Sequence, residues 1–204
     1  MGTLVVDQFM TLDGVVQAPG GPDEDRSGGF AHGGWQAPYL DEEAGKLITD
    51  EIERNDALLL GRRTYEIFAD YWPKAPAEDR IAKKLNTMPK YVASRTLRRV
   101  DWANSTLLGP DLRSEVARIK SRHAETHVIG SGNLAQSLLR ERLADRLNLW
   151  IHPVTLGTGK RLFADGTVPT ALKLVRSRTF PKGVVLLTYE PHGEPTYGTI
   201  GEEA

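Results

Sequence analysis

The sequence predicts an α/β fold with a central, mostly parallel sheet, flanking helices and antiparallel edge strands near the C-terminal end. In the first two thirds of the chain, short apolar strand patterns alternate with amphipathic helix patterns, which is typical of a parallel sheet. After Asp145, strand patterns follow one another without helices between them, which favours antiparallel pairing. The 204 residues, 40% of them apolar, are enough for a substantial core. We expect one domain over residues 1–190 and a polar tail over residues 191–204.

Composition excludes several classes of function. The net charge of −1 gives no basic surplus for binding nucleic acid or a membrane surface. The absence of cysteine rules out disulfides, thiolate catalysis and cysteine-bound metals. The five histidines are scattered without the close spacing of metal ligands, so no metal site is expected. No secretion signal or long apolar run is apparent, and we therefore expect a cytoplasmic protein without nucleic-acid or membrane partners.

The chain begins with a β-rich strand over residues 3–9 and then enters a long loop. Asp13-Gly14 indicates a turn after this strand, where a carboxylate can also face a ligand. Residues 17–39 are rich in glycine and proline but carry several aromatic side chains, among them Phe30 and Trp35. Long loops in compact domains are usually lids or disordered, and the aromatic content favours a lid. The alternative is that Phe30 and Trp35 only cover the edge of the core.

The periodicity over residues 39–54 predicts a helix with Asp41 as its N-cap. Glu51 falls within the apolar stripe of this helix. A carboxylate in apolar surroundings has a raised pKa and can serve as a proton donor. The alternative is that Glu51 lies at the edge of the stripe and reaches water.

Three predicted strands end in groups that bind anions. The strand over residues 56–61 leads into Arg62-Arg63-Thr64 at a helix start, and the strand over residues 90–94 leads into Arg95. The strand over residues 126–130 leads into Gly130-Ser131-Gly132 and a helix. Helix N-termini and guanidinium groups both bind phosphate, although each motif alone is also typical of an ordinary turn.

The carboxyl ends of parallel strands lie at the same edge of a sheet, where α/β proteins bind ligands. Three anion-binding ends therefore predict one ligand with several phosphates. A dinucleotide that carries a ribose 2′-phosphate fits, and arginines at the strand ends favour NADP over NAD.

The remaining elements complete the α/β pattern. Residues 74–88 form a polar connector with a short helix, residues 105–108 a short strand, and Asp111 caps a helix that runs to His123. Strand patterns then cover residues 146–155, 172–180 and 184–189, with a glycine-rich loop after the first and a hairpin turn at 181–183. The segment 147–163 is more apolar than an exposed edge should be. This apolar character favours a homodimer contact or, equally, cover by residues 172–189.

Four motifs, in order along the chain, resemble a known family. Residues 61–66 resemble the Gly-Arg-x-Thr-aromatic-Glu signature of dihydrofolate reductases, and residues 128–132 resemble their second nucleotide loop. Residues 11–14 and 152–159 resemble the C-terminal reductase domain of the bifunctional riboflavin-biosynthesis deaminase/reductase. The resemblance spans roughly residues 3 to 190. It implies a dihydrofolate reductase-like fold, NADPH as cofactor, and hydride transfer to a C=N or C=O group of a flat heterocycle or its opened sugar.

The resemblance also implies roles for individual residues. Arg62 and Thr64 would contact the phosphates of the cofactor, while Ser94 and Arg95 would lie by its 2′-phosphate. The other implied cofactor residues, near the pyrophosphate and the nicotinamide ribose, are Gly61, Gly130, Ser131, Gly132, Asn133 and Leu134. Asp13, Trp35 and an acid on the helix 41–54, for which Glu51 is the candidate, would face the substrate and act in catalysis.

We therefore expect an NADPH-dependent oxidoreductase of the 5-amino-6-(5-phosphoribosylamino)uracil reductase type, acting on a small heterocycle. The chain departs from the riboflavin reductases at residues 68–73, where those proteins carry an Asp-Asp-Pro motif, and it has no deaminase domain. None of its acids over residues 41–51 aligns cleanly with the catalytic acid of dihydrofolate reductases. Two alternatives stay open: a dihydrofolate or pterin reductase, and an NADP-binding sensor without catalysis.

Overall fold

A computed structural model describes residues 1–201 and gives this part of the chain a single eight-stranded sheet with helices on both faces. The strands are β1 Thr3–Thr11, β2 Ala57–Gly61, β3 Lys90–Ala93, β4 Ser105–Leu107, β5 Glu125–Ile129, β6 Arg146–His152, β7 Leu172–Thr179 and β8 Val185–Pro191. The α-helices are α1 Glu42–Arg54, α2 Arg62–Tyr71, α3 Arg80–Thr87, α4 Leu112–Arg122 and α5 Gly132–Arg140. Short 3₁₀ turns lie at Ser27–Gly29, Ala37–Tyr39 and Trp72–Lys74.

The strand order across the sheet is β4-β3-β2-β5-β1-β6-β8-β7. Strands β1 to β6 pair in parallel, whereas β8 pairs antiparallel with both β6 and β7. This arrangement confirms the predicted fold class. It also places the carboxyl ends of β3, β2, β5 and β1 next to one another along one edge of the sheet.

The core lies on both faces of the sheet because β2 and β5 are covered on both sides. Leu59 of β2 packs with Val116 of α4 and Leu138 of α5 on one face. Leu58 and Leu60 point to the opposite face, where α2 and α3 cover them. Such two-sided burial explains why these strands have continuous apolar sequences rather than alternating ones.

Element boundaries differ from the sequence prediction in a few places. Helix α1 begins at Glu42 rather than at Tyr39, because Asp41 is extended and its side chain accepts a hydrogen bond from the Ala44 N–H. Pro191, at the start of the predicted tail, is the last residue of β8, and the adjoining His192 N–H donates to the Ala171 carbonyl. The predicted tail also includes residues 202–204, which lie outside the described residues.

The apolar strand β6 is an internal strand. It lies between β1 and β8, and the register pairs Leu149 with Leu187. Intramolecular cover, the alternative to a homodimer contact at this segment, therefore accounts for its apolar character. The edge position is taken by β7, whose side chains are mostly exposed.

Candidate functional site

A cleft of about 910 Å³ runs along the carboxyl ends of the parallel strands. Its walls are the loops after β3, β2 and β5, the loop over residues 17–39, hereafter called the lid, and the glycine-rich loop over residues 156–163. The sheet order gives the cleft two ends: a β3 end, and a lid end beyond β1. Each of the ten predicted cofactor residues lines this cleft: Gly61, Arg62, Thr64, Ser94, Arg95, Gly130, Ser131, Gly132, Asn133 and Leu134.

Two helices begin in the cleft without a side-chain cap. Helices α1 and α3 start elsewhere, and α4 starts at the border of the cleft, where Leu112 lines it. Each of these three helices is capped by an aspartate whose carboxylate accepts a hydrogen bond from the first turn. In contrast, α2 starts after Gly61 and α5 after Ser131, and neither has a capping side chain or an acid in its first turn. Their first-turn N–H groups therefore face the cleft with the positive ends of two helix dipoles, which favours a bound anion.

Ser131 holds the two helix starts side by side. Its hydroxyl oxygen accepts a hydrogen bond from the Gly61 N–H at 2.9 Å, and its own N–H donates to Thr64 Oγ1 at 3.0 Å. Gly130 and Ser131 both have positive φ, 59° and 55°, so the chain turns sharply between β5 and α5. Left-handed backbone is unfavourable for serine, and the two bonds across the loops offset this strain.

At the β3 end, Arg95 provides an exposed guanidinium. Ser94 shapes this turn, since its hydroxyl accepts hydrogen bonds from the N–H groups of Thr96 and Leu97 at 3.2 and 3.0 Å. Within residues 1–201, Arg95 has no ion-pair partner. Arg62, nearer the middle of the cleft, forms an exposed ion pair with Glu66 at 3.3 Å, its one ion pair within the described residues. Both arginines are thus available to a phosphate.

At the lid end, Asp25 fastens the lid to the rest of the domain. Its carboxylate lies 2.5 Å from Arg63 Nη1 of α2 and 2.7 Å from Lys160 Nζ of the glycine-rich loop. Burial raises the pKa of Asp25, but hydrogen bonds from Lys160 and Ser27 outweigh it, and the pKa is lowered. Asp25 is therefore ionised at neutral pH and forms ion pairs with both cations.

Trp35 lies in the base of the lid. It is 6% exposed, packs with Val15 and Phe30, and donates its indole N–H to the Gln17 carbonyl at 2.8 Å. This position corresponds to the alternative of core packing, and the indole lies outside the lining of the cleft. Trp35 still helps to order the lid through Gln17. The Gln17 carbonyl accepts the indole hydrogen bond, and the Gln17 side chain donates to the Asp25 and Ser27 carbonyls at 3.0 Å.

Asp13 lies at the turn after β1, beside the cleft rather than in its lining. Its carboxylate accepts hydrogen bonds from the Thr11 hydroxyl at 2.6 Å and from the N–H groups of Leu156 and Gly157 at 3.2 and 2.8 Å. The hydrogen bond from Thr11 and those from Gly157 and Leu156 outweigh burial and lower the pKa of Asp13 to about 2. Asp13 thus anchors the glycine-rich loop.

Glu51 lies on helix α1, outside the lining of the cleft. Its carboxylate pairs with Arg176 of β7 at 3.1 Å, and burial, followed by the nearby charge of Asp7, raises its pKa. The raised pKa expected from the sequence is present. However, the structure does not bring Glu51 together with the cofactor residues that line the cleft.

Several polar residues of the cleft were not singled out from the sequence: Gln8, Gln17, Glu24, Asp25, Lys160 and Arg161. Gln8 is fully buried on β1, and its Oε1 has no hydrogen-bond partner within the described residues. The adjacent polar residues Asp7 and Gln8, in the middle of a largely apolar strand, are the available signal for it. The sequence also contains the acids of the lid and the basic pair Lys160-Arg161, but no local pattern indicates that Asp25 and Lys160 form an ion pair.

Over residues 1–201, every helix is too short or too polar to cross a membrane. In the same range, no cluster of three or more histidine, aspartate or glutamate side chains is arranged to hold a metal ion.

Comparisons with known proteins agree with this architecture. The family model of the RibD C-terminal domain matches residues 2–186. Protein YyaP of Bacillus subtilis (strain 168) is 29% identical over 194 residues, which are 93% of this chain and 95% of that protein. Protein YwjB of the same organism is 26% identical over 152 residues, 72% of this chain and 83% of its own length.

Two solved structures show the same fold. A putative riboflavin biosynthesis protein from Shewanella sp. PV-4 superposes with a TM-score of 0.71 at 20% identity, covering 93% of this chain and 99% of that one. The deaminase/5-amino-6-(5-phosphoribosylamino)uracil reductase of Thermotoga maritima superposes with a TM-score of 0.62 at 14% identity, covering 94% of this chain and 57% of that one.

Proposed function

The chain belongs to the RibD C-terminal domain family, and we propose that it is an NADPH-dependent reductase that passes a hydride to a small heterocyclic substrate. The family and its structural relatives establish the reductase-like fold. The observation that carries the cofactor assignment is the pair of uncapped helix starts, α2 and α5, in one cleft with an unpaired arginine at its end.

The residues present fit a phosphorylated dinucleotide. In this proposal the first turns of α2 and α5, with Arg62 and Thr64, hold the pyrophosphate. Arg95 and Ser94 hold the 2′-phosphate at the β3 end, because a guanidinium binds phosphate with paired hydrogen bonds. The order of the strands then directs the opposite end of the cofactor towards β1, where the unpartnered Gln8 Oε1 can accept a hydrogen bond from an amide.

The bound cofactor supplies the hydride, and the chain supplies position and shelter. The lid closes the end of the cleft beyond β1, and its bonds through Asp25, Gln17 and Trp35 keep it in place. A closed lid excludes water and orients a substrate against the β1 end of the cofactor. We propose that the substrate carries a nitrogen heterocycle like the aminouracil ring in the name of the Thermotoga maritima reductase.

The assignment is tested by titrating the protein with NADPH and NADH and following cofactor fluorescence. We expect Arg95→Ala to weaken NADPH binding by about tenfold or more, since a hydrogen-bonded charge pair contributes about 1.5–3 kcal/mol. NADH affinity should stay the same, because NADH lacks the 2′-phosphate. Arg62→Ala should weaken the binding of both cofactors.

The matched control is Arg98→Ala, which removes an exposed arginine from the same loop but outside the cleft. It should leave both affinities unchanged. Equal NADPH affinities for Arg95→Ala and the unmodified protein would contradict the placement of the 2′-phosphate. Tight binding of NADPH without its oxidation by aminouracils or dihydropterins would support the non-catalytic sensor instead.

A further inference from the structure

Every cation at the lid end of the cleft is already paired with a carboxylate. Arg63 and Lys160 both contact Asp25, at 2.5 and 2.7 Å. Arg161 donates from Nε to the Asp13 carbonyl at 2.9 Å and pairs with its carboxylate at 3.5 Å. The β3 end differs, since the guanidinium of Arg95 has no carboxylate partner within the described residues. The two ends of one cleft therefore offer opposite surroundings to a phosphate.

Asp25 is built into this position. It is 6% exposed, and its carboxylate also accepts hydrogen bonds from the Ser27 N–H and hydroxyl at 3.0 and 2.6 Å. The Gln17 side chain fixes its backbone carbonyl. A phosphate that took Arg63 and Lys160 would leave this buried carboxylate without a counter-ion, which is strongly unfavourable.

Glu24, the neighbour of Asp25, adds negative charge to the lining of the lid end. Its Oε2 accepts hydrogen bonds from the Gly20 and Gly21 N–H groups at 2.6 and 3.1 Å. Within residues 1–201, no cation pairs with it, and Oε1 is free. Burial, assisted by the charge of Asp25, raises the pKa of Glu24. A group in this setting accepts hydrogen bonds from N–H donors and disfavours an anion.

We propose that the lid end of the cleft binds an unphosphorylated, nitrogen-rich heterocycle whose N–H groups donate to Glu24, and that Asp25 keeps a phosphorylated substrate out by holding Arg63 and Lys160. The inference rests on the proposed function, because the cofactor has to occupy the remainder of the cleft. Asp25 and Glu24 are then the residues that determine substrate specificity. The selection against phosphate applies to the substrate alone, since the cofactor phosphates bind at the other end.

The test uses one matched pair of ligands and the full chain saturated with NADP⁺. The pair is 5-amino-6-(5-phosphoribosylamino)uracil and the same compound after removal of its phosphate. Isothermal titration calorimetry measures the affinity of each, so turnover is not needed. We expect the dephosphorylated compound to bind at least about tenfold more tightly, the effect of losing one charge-assisted contact.

Substitutions of Asp25 and Glu24 test whether these residues cause the preference for the dephosphorylated compound. Asp25→Asn should release Arg63 and Lys160, and the preference for the dephosphorylated compound should shrink or reverse. Asp23→Asn is the control, because it removes the same charge from an exposed pair with Arg26 on the same loop. Glu24→Gln keeps the shape of the side chain and should lower the affinity for the dephosphorylated compound by about tenfold.

Tighter binding of the phosphorylated compound by the unmodified protein, or binding of neither compound, would overturn the inference, and this comparison depends on no variant. An unchanged preference in Asp25→Asn that retains its fold would overturn the role of Asp25. NADPH titration separates the two proposals. If NADPH binds but the dephosphorylated compound is not preferred, the proposed substrate selectivity is wrong and the proposed reductase function stands. If NADPH does not bind, the proposed reductase function is itself wrong.

Discussion

Asp13 shows how a carboxylate beside a cleft can have a structural task. It receives hydrogen bonds from Thr11 on its own strand and from Leu156 and Gly157, which are more than 140 residues away in the chain. These bonds favour the ionised form and lower its pKa to about 2. A group with so low a pKa is a poor proton donor at neutral pH. Its position instead determines where the glycine-rich loop, and with it Lys160, lies.

We expect Asp13→Asn to lower the free energy of unfolding by about 1–2 kcal/mol at pH 7, because an amide replaces a charged acceptor of several hydrogen bonds. NADPH affinity should change less than about twofold, below the 1.4 kcal/mol that a tenfold change requires. Urea denaturation and cofactor titration measure the two quantities. A variant with unchanged stability and a large loss of turnover would instead favour the catalytic role that the sequence predicted for Asp13.

The sequence brings together the residues of the strand-to-helix turns that line the cleft better than it brings together the acids, and the reason is physical. Gly61, Arg62 and Gly130-Ser131-Gly132 act through a strand-to-helix turn, which a few adjacent residues specify. The task of an acid depends on what approaches it in space. Glu51 forms an ion pair with Arg176, and Asp25 forms one with Lys160, and in each pair the two residues are more than 120 positions apart in the chain. No local sequence pattern predicts such long-range ion pairs.

At the scale of elements, the five α-helices within the described part of the chain fall into two groups, those with a side-chain cap at the N-terminus and those without one. The strand and helix patterns predicted each of them, and the capping roles of Asp41 and Asp111 were read from the sequence and confirmed. Helices with aspartate caps are closed at their N-termini. Helices α2 and α5 are left open because glycine and a left-handed serine occupy the cap positions.

Adding a cap to α2 should separate stability from binding. Gly61 has extended backbone, and a Cβ there would meet Leu134 and Ser131 only at 3.5 Å, so Gly61→Asp fits. We expect the free energy of unfolding to stay level or rise by up to about 1 kcal/mol. NADPH affinity should fall at least about tenfold, because the carboxylate takes the donors and repels the phosphates.

The matched change removes a cap at a helix start outside the cleft. Asp79 caps α3 by accepting a hydrogen bond from the Ala82 N–H at 3.0 Å. Asp79→Ala should lower the free energy of unfolding by about 1 kcal/mol and leave NADPH affinity unchanged. If Gly61→Asp binds NADPH as the unmodified protein does, the open helix start does not hold a phosphate.

At the scale of the whole molecule, a buried polar row joins the parallel and antiparallel parts of the sheet. His127 of β5 donates to Asp7 of β1 at 2.5 Å, Asn148 of β6 donates to Asp7 at 2.8 Å, and Thr188 of β8 donates to Asn148 at 2.9 Å. Four neighbouring strands are thus linked by side chains as well as by backbone. The change from parallel strands to antiparallel strands near the C-terminal end was predictable from the sequence. This row was not, because its members lie far apart in the chain and meet only in the correct register.

The row makes the stability of the molecule depend on pH. Burial alone would lower the pKa of His127, but the charge of Asp7 and hydrogen bonds to Asp7 and Glu125 raise it to about 10. His127 therefore stays protonated in the folded chain, while in the unfolded chain it loses its proton near pH 6.5. Its stabilisation is complete below that pH and is lost as the pH rises towards 10.

We expect the free energy of unfolding to fall by up to about 1.4 kcal/mol per pH unit between pH 7 and pH 8, the effect of one proton retained only by the folded state. The window ends at pH 8 because the lowered pKa of buried Lys90, about 8, has the opposite effect above it. Urea denaturation at both pH values should show this slope in the unmodified protein and in His192→Gln, whose histidine is exposed. His127→Gln should be less stable at pH 7 and should lose the slope, because glutamine carries no proton to release. An equal slope in His127→Gln would mean that His127 is neutral in the folded protein, and that the row is held by neutral hydrogen bonds rather than by an ion pair.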